Sequence, residues 1–392
     1  MIAQKIIKII PLKFIGILLM LISFVFIAVH IIYGGSEHMP DISTSPSMPA
    51  SALEVVAELD MPPGNMAVSS QGEIFFTFHP EASPEIHVAK WQDNKAVPFP
   101  NKAFNTGVTA QGENIDVYFD APQGIRIDQQ NRLWVLDHAN HGLGQPRLFA
   151  FDLSSSELIH QYDFPASLAG LGSHLNDFQV DPKGEFIYIA NASILRKKPS
   201  VIIYDVVNKK SREVLVQDPS VMAQRFTPVV QGQLMLKLGV FAIRPNIDSI
   251  ALDRTGQWLY YAATAHSRLF RIKTVDLLNE KLTPQQLSKK VEDFAAKTAS
   301  DGITTDLAGN IYISNADQSS IDRIDASGQL QTLIKDDILR WPDGFSFGPD
   351  GWLYLTNSAL HEVIMKSQEH IRQHAPFHIV RFKPGTQSIA GH

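Results

Sequence analysis

Alternating apolar residues recur along the chain in pairs of short segments separated by tight turns. The clearest pair spans residues 341–357, where a Pro-Asp-Gly turn precedes an alternating segment and a second Pro-Asp-Gly turn precedes another apolar run. Alternation with a period of two predicts strands, and turn residues between two strands predict a hairpin. Five similar pairs come earlier, at residues 65–77, 123–137, 176–191, 247–262 and 300–315. The chain therefore repeats one β-hairpin six times.

The six hairpins can be aligned on the residue that turns the chain before the second strand. The aligned residues lie 42 to 72 positions apart, at Gly72, Asn131, Gly184, Gly256, Gly309 and Gly351. Several short strands in each repeat of this length indicate a β-propeller, and unequal spacings indicate loop insertions. The sequence predicts an all-β protein, a six-bladed β-propeller.

Three segments add detail to this prediction. Residues 53–59 resemble the outer strand of a repeat but precede the first one, so we expect them to close the ring by pairing with the last blade. Residues 218–245 predict an extra hairpin or covering loop. Residues 283–297 predict a short helix, with Thr283 as N-cap and Pro284 at the first helical position.

The N-terminus carries a segment of a different kind. Three lysines precede an uninterrupted apolar run over residues 14–33, which is long enough to span a bilayer. We expect residues 1–33 to be a cytoplasmic N-terminus and membrane anchor; a cleaved signal peptide is the alternative. Residues 34–52, rich in Ser, Pro, Met and Gly, predict a flexible tether, and residues 53–392 form the propeller.

Charge and cysteine content narrow the possible partners. The chain has 34 basic and 40 acidic residues, and three of the basic ones lie before the apolar run. The remaining body is acidic, so nucleic acid is excluded as an expected partner, and we expect a monomer that binds a small molecule. The absence of cysteine excludes disulfides and thiol chemistry. The expected location is the inner membrane facing the periplasm, or the periplasm or exterior if the segment is cleaved.

Polar residues are expected to converge at one mouth of the central channel, where each inner strand begins and each second strand returns. The first ring of such residues comprises Asn65, Gln123, Asn176, Asp177, Asp248, Asp301 and Asp343. The second ring comprises His79, His138, Asn191, His266, Asn315 and Asn357. For ligand binding we single out Gln123, Asn176, Asp177, Asn191, Asn315 and Asn357.

Several carboxylates aimed at one axis would repel one another in a partly buried space. A hard cation with oxygen ligands, such as Ca²⁺ or another divalent ion, would relieve this repulsion, with Asn176, Asp248, Asp301 and Asp343 as its ligands. The alternative is that these side chains bond to their own backbone in turns, as Asp and Asn do in many proteins. The sequence leaves both interpretations open.

Catalytic candidates lie on the same two rings. His138, with His141 in the Gly-rich segment 138–144, could move a proton near neutral pH, and Asp301 and Asp343 could act as acid or base. A histidine in a loop is more often a structural hydrogen-bonding residue. No Walker loop, GxSxG elbow, HExxH or Rossmann fingerprint is present, which disfavours nucleotide-driven and serine-hydrolase chemistry.

The sequence resembles the major royal jelly protein and yellow family in its bacterial form. The resemblance is carried by residues 63–78, LWVLD at 133–137, LNDFQVD at 175–181, the SDGITTD and NIYISN segments of the fifth repeat, and residues 341–361. More distantly, the hairpins resemble gluconolactonase-type six-bladed propellers. The resemblance implies an exported protein with a ligand pocket in the channel, because some members bind small aromatic amines and some are named for dopachrome conversion.

Two classes of function follow. One is an enzyme acting on a small cyclic substrate, either a metal-assisted lactone hydrolase or a dopachrome-type tautomerase. The other is a non-catalytic binding protein for amine or aromatic ligands. When no metal is bound, an acidic ring favours the binding of a cationic ligand. When a metal is bound, the ring favours polarisation of a substrate carbonyl.

Overall fold

The structure, a computed structural model, describes residues 12–35 and 37–391. It opens with an apolar helix, Leu12–Tyr33, of 22 residues. At 1.5 Å per residue this helix is about 33 Å long, which matches the thickness of the hydrocarbon core of a bilayer. By its length and composition this helix could serve as a membrane anchor or as a signal peptide.

Six four-stranded antiparallel sheets follow as the blades of a propeller. The first three blades are Pro63–Val68, Ile74–Phe78, Val88–Gln92 and Lys95–Pro98; Pro122–Ile127, Arg132–Asp137, Arg147–Asp152 and Leu158–Asp163; and Leu175–Val180, Phe186–Asn191, Ser200–Asp205 and Lys210–Val214. The next two are Ile247–Leu252, Trp258–Ala263, Arg268–Lys273 and Glu292–Ala296; and Ile303–Thr305, Ile311–Asn315, Ser320–Ile324 and Leu330–Lys335. The six-bladed architecture predicted from the hairpin repeat is confirmed.

The sixth blade closes the ring with strands from both ends of the chain. Its strands are Pro342–Phe347, Leu353–Asn357, Phe377–Phe382 and Glu54–Leu59. Glu54–Leu59 pairs antiparallel with Phe377–Phe382, with Glu54 opposite Arg381 and Leu59 opposite Phe377. The prediction that residues 53–59 complete the last blade is confirmed.

Short helices occupy the connections between strands. The α-helical ones are Lys102–Thr106, Ala139–Gly142, Ala166–Ala169, Thr274–Leu278, Pro284–Ser288 and Gln368–Gln373, and the 3-10 turns are Ala50–Ala52, Pro80–Ala82, Pro219–Val221, Pro349–Gly351 and Leu360–Glu362. Thr283 and Gln286 form the expected capping box. The predicted helix over 283–297 is too long, because residues 292–296 pair as the outer strand of blade four.

Residues 34–52, expected to be a flexible tether, make specific contacts over their second half. The backbone N–H groups of Ser47 and Met48 donate to the carbonyls of Thr332 and Leu333 on the outer strand of blade five. Met48 and Leu53 also pack against the hydrophobic cluster between blades five and six. The edge of blade five offers unpaired backbone groups, and this segment pairs with them.

The two ends of the channel are covered by different segments. Residues 218–245 form two small hairpins, Val229–Val230 with Gln233–Leu234 and Leu236–Lys237 with Phe241–Ala242, as the predicted extra hairpin. At the opposite end the C-terminal tail crosses between blades: Gly391 bonds to Phe347 and Ile127, and Leu307 N–H donates to Gln387. The channel is therefore covered by the tail at one end.

Candidate functional site

A β-bulge begins five of the six inner strands, at the mouth of the channel opposite the C-terminal tail. The pairing register of these strands shifts at 63–66, 122–124, 175–178, 247–249 and 342–345. A bulge breaks the alternation and re-aims one side chain. The residues of the first ring that sit in these bulges are Asn65, Gln123, Asn176, Asp177, Asp248 and Asp343.

Glycines next to the ring residues allow neighbouring blades to approach closely. A Cβ atom on Gly302 would lie 1.7 Å from the Asp343 carbonyl oxygen, and one on Gly344 would lie 2.3 Å from Asn65 Oδ1. No side chain fits at either position. The recurring Asp-Gly pairs thus serve blade-to-blade contact.

A cavity of about 210 Å³ lies at this mouth, and we call it the mouth cavity. Its polar wall includes Gln123, Asn176, Asp248 and Asp301, with histidines 79, 141 and 174 and Glu81 beside them. Its other wall is Trp341 together with apolar side chains at positions 194, 195, 241, 243, 245, 360, 364 and 365, and one charged side chain, Arg244. Part of the apolar wall comes from residues 218–245, which we call the insertion. The insertion therefore covers the polar wall of the cavity.

Asp248 and Asp301 form a carboxyl pair in the wall of the mouth cavity. The charge of one carboxyl group acts on the other, Thr264 Oγ1 donates to Asp248 Oδ2 at 2.7 Å, and Trp341 Nε1 donates to Asp301 Oδ2; Asp248 Oδ1 is buried with no hydrogen-bonding partner among the described residues. Burial raises the pKa of both groups, and the charge of Asp301 raises that of Asp248 further. A carboxyl pair of this kind holds a proton to higher pH than a single exposed carboxyl group does.

The other two acidic ring residues do not line the mouth cavity. Asp343 Oδ2 accepts a hydrogen bond from Ser358 Oγ at 2.7 Å, and burial raises its pKa well above the usual range. Asp177 accepts from the guanidinium of Arg126 at 2.7 Å, and burial raises the pKa of Asp177 to about 6. Asp301 and Asp343 thus accept side-chain hydrogen bonds from other segments, unlike ordinary turn caps.

Arg126 is a buried charged residue among the ring residues that the sequence interpretation missed. Its side chain is 1% exposed and also donates from Nη1 to Asn65 Oδ1 at 2.7 Å, so it links the ring residues of blades one and three. The five equivalent positions on the other inner strands, in the same pairing register, are Ala67, Gln179, Ala251, Thr304 and Ser346. Because four of these side chains are small, the channel has room for one guanidinium, and this guanidinium balances part of the acidic charge.

A second buried cation was also missed. Lys297 is 1% exposed, and its Nζ donates to the carbonyls of Thr264 and Thr298 at 3.2 and 3.0 Å. Burial lowers the pKa of Lys297 to about 7, while the carboxylates of Asp317, Asp248 and Asp301 oppose this shift. Lys297 therefore adds a titratable positive charge close to the carboxyl pair.

Three histidines pack together beside the mouth cavity. The rings of His138, His141 and His174 lie with centroids 4.7 to 5.2 Å apart, and His174 Nε2 is 3.2 Å from Gln123 Oε1. Burial lowers the pKa of His138 to about 3 and also lowers that of His174. His138, proposed from sequence as catalytic, is neutral at physiological pH and lies behind His141 rather than in the cavity wall.

The second ring mostly has structural partners. Asn191 Nδ2 donates to Ser200, and Asn315 Nδ2 donates to Asp322. Neither amide atom of Asn357 has a hydrogen-bonding partner among the described residues, although the side chain is fully buried. None of these three asparagines is part of the cavity wall, whereas Gln123 and Asn176 are.

Asp301→Asn is expected to stabilise the protein increasingly as pH rises from 5 to 8. The folded state keeps protons on the pair that the unfolded chain releases above pH 4, so wild-type stability falls as pH rises through this window. The Asn side chain does not titrate, so the variant lacks one of these carboxyl groups and also lowers the repulsion on Asp248. Each unit of difference between the folded and unfolded pKa corresponds to about 1.4 kcal/mol of stability. Urea denaturation at several pH values measures the difference.

Asp181→Asn is the matched control for this measurement. Asp181 lies at the opposite end of the hairpin and accepts through Oδ1 from the N–H groups of Glu185 and Phe186, a role that Asn fills equally. We expect its effect to be small and independent of pH. A stability difference for Asp301→Asn that does not change with pH would rule out the proton on this pair.

Sequence comparison places the chain in a known family. The family model described as Major royal jelly protein matches residues 121–366. Major royal jelly protein 3 of Apis mellifera is 25% identical over 223 residues, which are 53% of this chain and 38% of that protein. Major royal jelly protein 7 of the same organism is 29% identical over 166 residues, 38% of this chain and 34% of that protein. The matches thus span little more than a third of these relatives.

Solved structures share the fold at low sequence identity. A luciferin-regenerating enzyme aligns with a TM-score of 0.54 at 12% identity, covering 86% of this chain and 97% of its own. A gluconolactonase from Xanthomonas campestris aligns with a TM-score of 0.52 at 14% identity, covering 89% of this chain and 98% of its own. Regucalcin from Agrobacterium tumefaciens, a calcium-binding protein, aligns with a TM-score of 0.52 at 14% identity, covering 88% of this chain and 99% of its own. With the fold and the family match, the chain belongs to the major royal jelly protein family.

Proposed function

We propose that the protein binds a small cyclic or aromatic molecule in the mouth cavity and moves a proton on it, as a tautomerase of the dopachrome type does. The observation that carries this proposal is the carboxyl pair Asp248 and Asp301, placed in the wall of a cavity otherwise lined largely by apolar side chains. The cavity is smaller than the roughly 300–1,000 Å³ of sites for drug-sized molecules, so the ligand is small.

The pair can supply both an acid and a base. One carboxyl group holds the proton and can donate it, while the other can accept a proton from a different atom of the ligand. A tautomerisation needs no other reactant, because the proton removed from one position is replaced by one delivered to another. Trp341 holds Asp301 in place, and the apolar wall excludes water.

A divalent cation fits part of the same wall and supports lactone hydrolysis as the second candidate. Asn176, Asp248 and Asp301 all line the mouth cavity and offer oxygen ligands of the kind that Ca²⁺ prefers, and a cation would replace the proton that the pair holds. Asp343 lies outside this wall, and Arg126 already balances Asp177. When bound, the ion would polarise a carbonyl oxygen of the substrate.

We also infer that Leu12–Tyr33 anchors the protein in the inner membrane with the propeller in the periplasm. The three lysines before the helix support this orientation, because basic residues remain on the cytoplasmic side. Cell fractionation is expected to find the full-length chain in the membrane fraction. A soluble, N-terminally shortened protein would instead support a cleaved signal peptide.

Turnover by the detergent-solubilised full chain tests the enzymatic proposal. We expect isomerisation of dopachrome without added metal, and a loss of about 100-fold or more for Asp248→Asn and Asp301→Asn but not for Asp181→Asn. A panel of lactones, assayed with Ca²⁺ and with chelator, tests the second candidate. Equal turnover by wild type and Asp301→Asn would overturn both.

One outcome would assign the non-catalytic alternative. If an aromatic amine such as phenethylamine binds to wild type and less well to Asp301→Asn, and no dopachrome or lactone is converted, the mouth cavity captures amines and performs no reaction. A buried carboxyl pair that loses its proton on binding would then be the counter-ion for the ammonium group.

A further inference from the structure

Three metal-ligating side chains meet outside the mouth cavity, at the rim of the last blade. Glu362 ends the 3-10 turn Leu360–Glu362, and His370 and His374 lie one turn apart at the end of Gln368–Gln373. His370 Nε2 is 2.6 Å and His374 Nε2 is 3.5 Å from Glu362 Oε2. One ligand atom from each of the three residues lies within 4.8 Å of the others.

The hydrogen bonds of His374 leave a lone pair facing the carboxylate. His374 Nδ1 is 2.8 Å from the carbonyl oxygen of His370, which can only accept, so Nδ1 carries the hydrogen. In the neutral ring Nε2 is then an acceptor, and it faces an oxygen of Glu362 that is also an acceptor. A cation between these two acceptors, either a proton or a metal ion, would make their contact favourable.

The two imidazoles are placed side by side, as two ligands of one ion would be. The rings of His370 and His374 are stacked with centroids 4.1 Å apart, and both Nε2 atoms approach Glu362 Oε2. A hydrogen bond from the second ring nitrogen to a carbonyl, as His374 makes, is the usual support of a metal-binding histidine.

A hydrogen bond from a neighbouring side chain holds the Glu362 carboxylate in position. Gln233 Nε2, from the insertion, donates to Glu362 Oε1, and the Glu362 side chain is 9% exposed. His370 and His374 are 30% and 36% exposed at the side chain, so the fourth side of the cluster is open to solvent. Two imidazoles and one carboxylate with an open fourth position are typical of zinc.

We propose that Glu362, His370 and His374 bind one divalent ion of the zinc class. The ion would fix residues 360–365, from which Leu360, Ile364 and Met365 contribute to the wall of the mouth cavity. Through Gln233 it would also hold the insertion against the last blade. This site is separate from the carboxyl pair and prefers a different class of ion.

Metal binding by the full chain in detergent tests this site without reference to activity. We expect one Zn²⁺ per chain, and visible absorption bands of tetrahedral Co²⁺ when cobalt replaces it. His374→Gln and His370→Gln should each weaken binding about tenfold or more. His378→Gln, at a half-buried histidine on Phe377–Phe382, should leave it unchanged. Unaltered zinc content in the His370→Gln/His374→Gln double variant would overturn the site.

A second, independent observation concerns the end of the N-terminal helix. The last carbonyl groups of this helix are bound by arginines of the propeller: Arg225 Nη1 donates to Ile31 O at 2.8 Å and Arg244 Nη2 donates to Ile32 O at 3.2 Å. Cations at a helix C-terminus complement its dipole. Both arginines lie within residues 218–245, the insertion that covers the mouth of the channel. The helix therefore ends at that mouth.

The same helix end contacts the wall of the mouth cavity. Tyr33 stacks on Phe241 with ring centroids 5.2 Å apart, and its hydroxyl donates to Leu195 O at 3.3 Å. Phe241 and Leu195 both line the cavity, as does Met365, which is 63% exposed. Leu238, at the tip of the hairpin that carries Phe241, is 80% exposed.

We infer that the mouth of the cavity rests on the surface of an anionic bilayer, so that its ligand enters from the lipid interface. This inference depends on the proposed anchor. A transmembrane helix that ends at a face with exposed apolar side chains and basic residues brings that face to the headgroups. Lys197, whose Nζ lies 4.5 Å from the centre of the Tyr33 ring, adds to the positive charge there.

Single cysteines test the orientation, because the natural chain contains none. The full chain with Leu238→Cys is labelled with a fluorophore and reconstituted in phosphatidylglycerol vesicles containing doxyl lipid. We expect strong quenching for Leu238→Cys and little for Leu307→Cys, an equally apolar position, 60% exposed, at the end covered by the tail. Equal quenching at both positions in vesicle-bound protein would overturn the orientation while leaving the anchor intact.

Discussion

A chain that begins at residue 60 is expected to be less stable than one that begins at residue 53 by about 4 kcal/mol or more. The two differ in the strand Glu54–Leu59, which supplies the outer edge of the last blade. Its removal takes the buried side chains of Ala57 and Leu59 out of the core and leaves unpaired those backbone groups of Phe377–Phe382 that face this strand. Both chains lack the N-terminal helix, so the comparison isolates the strand.

Thermal melting and size-exclusion chromatography measure this effect. The chain from residue 60 should melt at a lower temperature and associate with itself, because an exposed strand edge pairs with other chains. Equal melting temperatures for the two chains would mean that the ring is closed without this strand.

Arg126→Met is expected to destabilise the protein by about 3–5 kcal/mol, because it leaves a buried carboxylate without its partner. Arg126 and Asp177 are 1% and 7% exposed at the side chain, and their pair is 2.7 Å long. Since burial raises the pKa of Asp177 to about 6, the loss should be smaller at pH 5, where this carboxyl is largely protonated in the folded state, than at pH 8.

The double variant Arg126→Met/Asp177→Asn identifies the cause of this loss. Removing the carboxylate as well should recover a large part of the stability, measured by urea denaturation. Arg132→Met is the control. Arg132 pairs with Asp128 on the same blade, but its side chain is 21% exposed against 1% for Arg126, and Asp128 keeps Trp134 Nε1 and two backbone N–H groups as donors, so about 1 kcal/mol is expected. A double variant no more stable than Arg126→Met would contradict the account of this pair.

The fold was predictable from sequence because each blade repeats one local pattern. Turn residues and alternating strands recur six times, and the strand at 53–59 could be assigned to the last blade by its likeness to an outer strand. The helix predicted over 283–297 shows the limit of local patterns: Leu287 and Phe294 fit a helical face, yet residues 292–296 complete a sheet whose edge would otherwise be unpaired.

The site was predictable in position but not in its balance of charge. The bulges that open the inner strands bring the predicted ring to one mouth, and Gln123, Asn176, Asp248 and Asp301 share one cavity there. Arg126 could have been found by aligning the six inner strands, since it stands where most of the others have small residues. Asp343 accepts from Ser358, which directly follows the second strand of the same hairpin, so this contact could also have been found from the pairing of that hairpin.

The central claim is that the mouth cavity, with Asp301 in its wall, is where the protein binds its ligand. Isothermal titration of phenethylamine into the full chain tests this most directly. The account predicts one binding site per chain, with affinity about tenfold or more weaker in Asp301→Asn and unchanged in Asp181→Asn. Equal affinity in wild type and Asp301→Asn, or an equal loss in both variants, would contradict it.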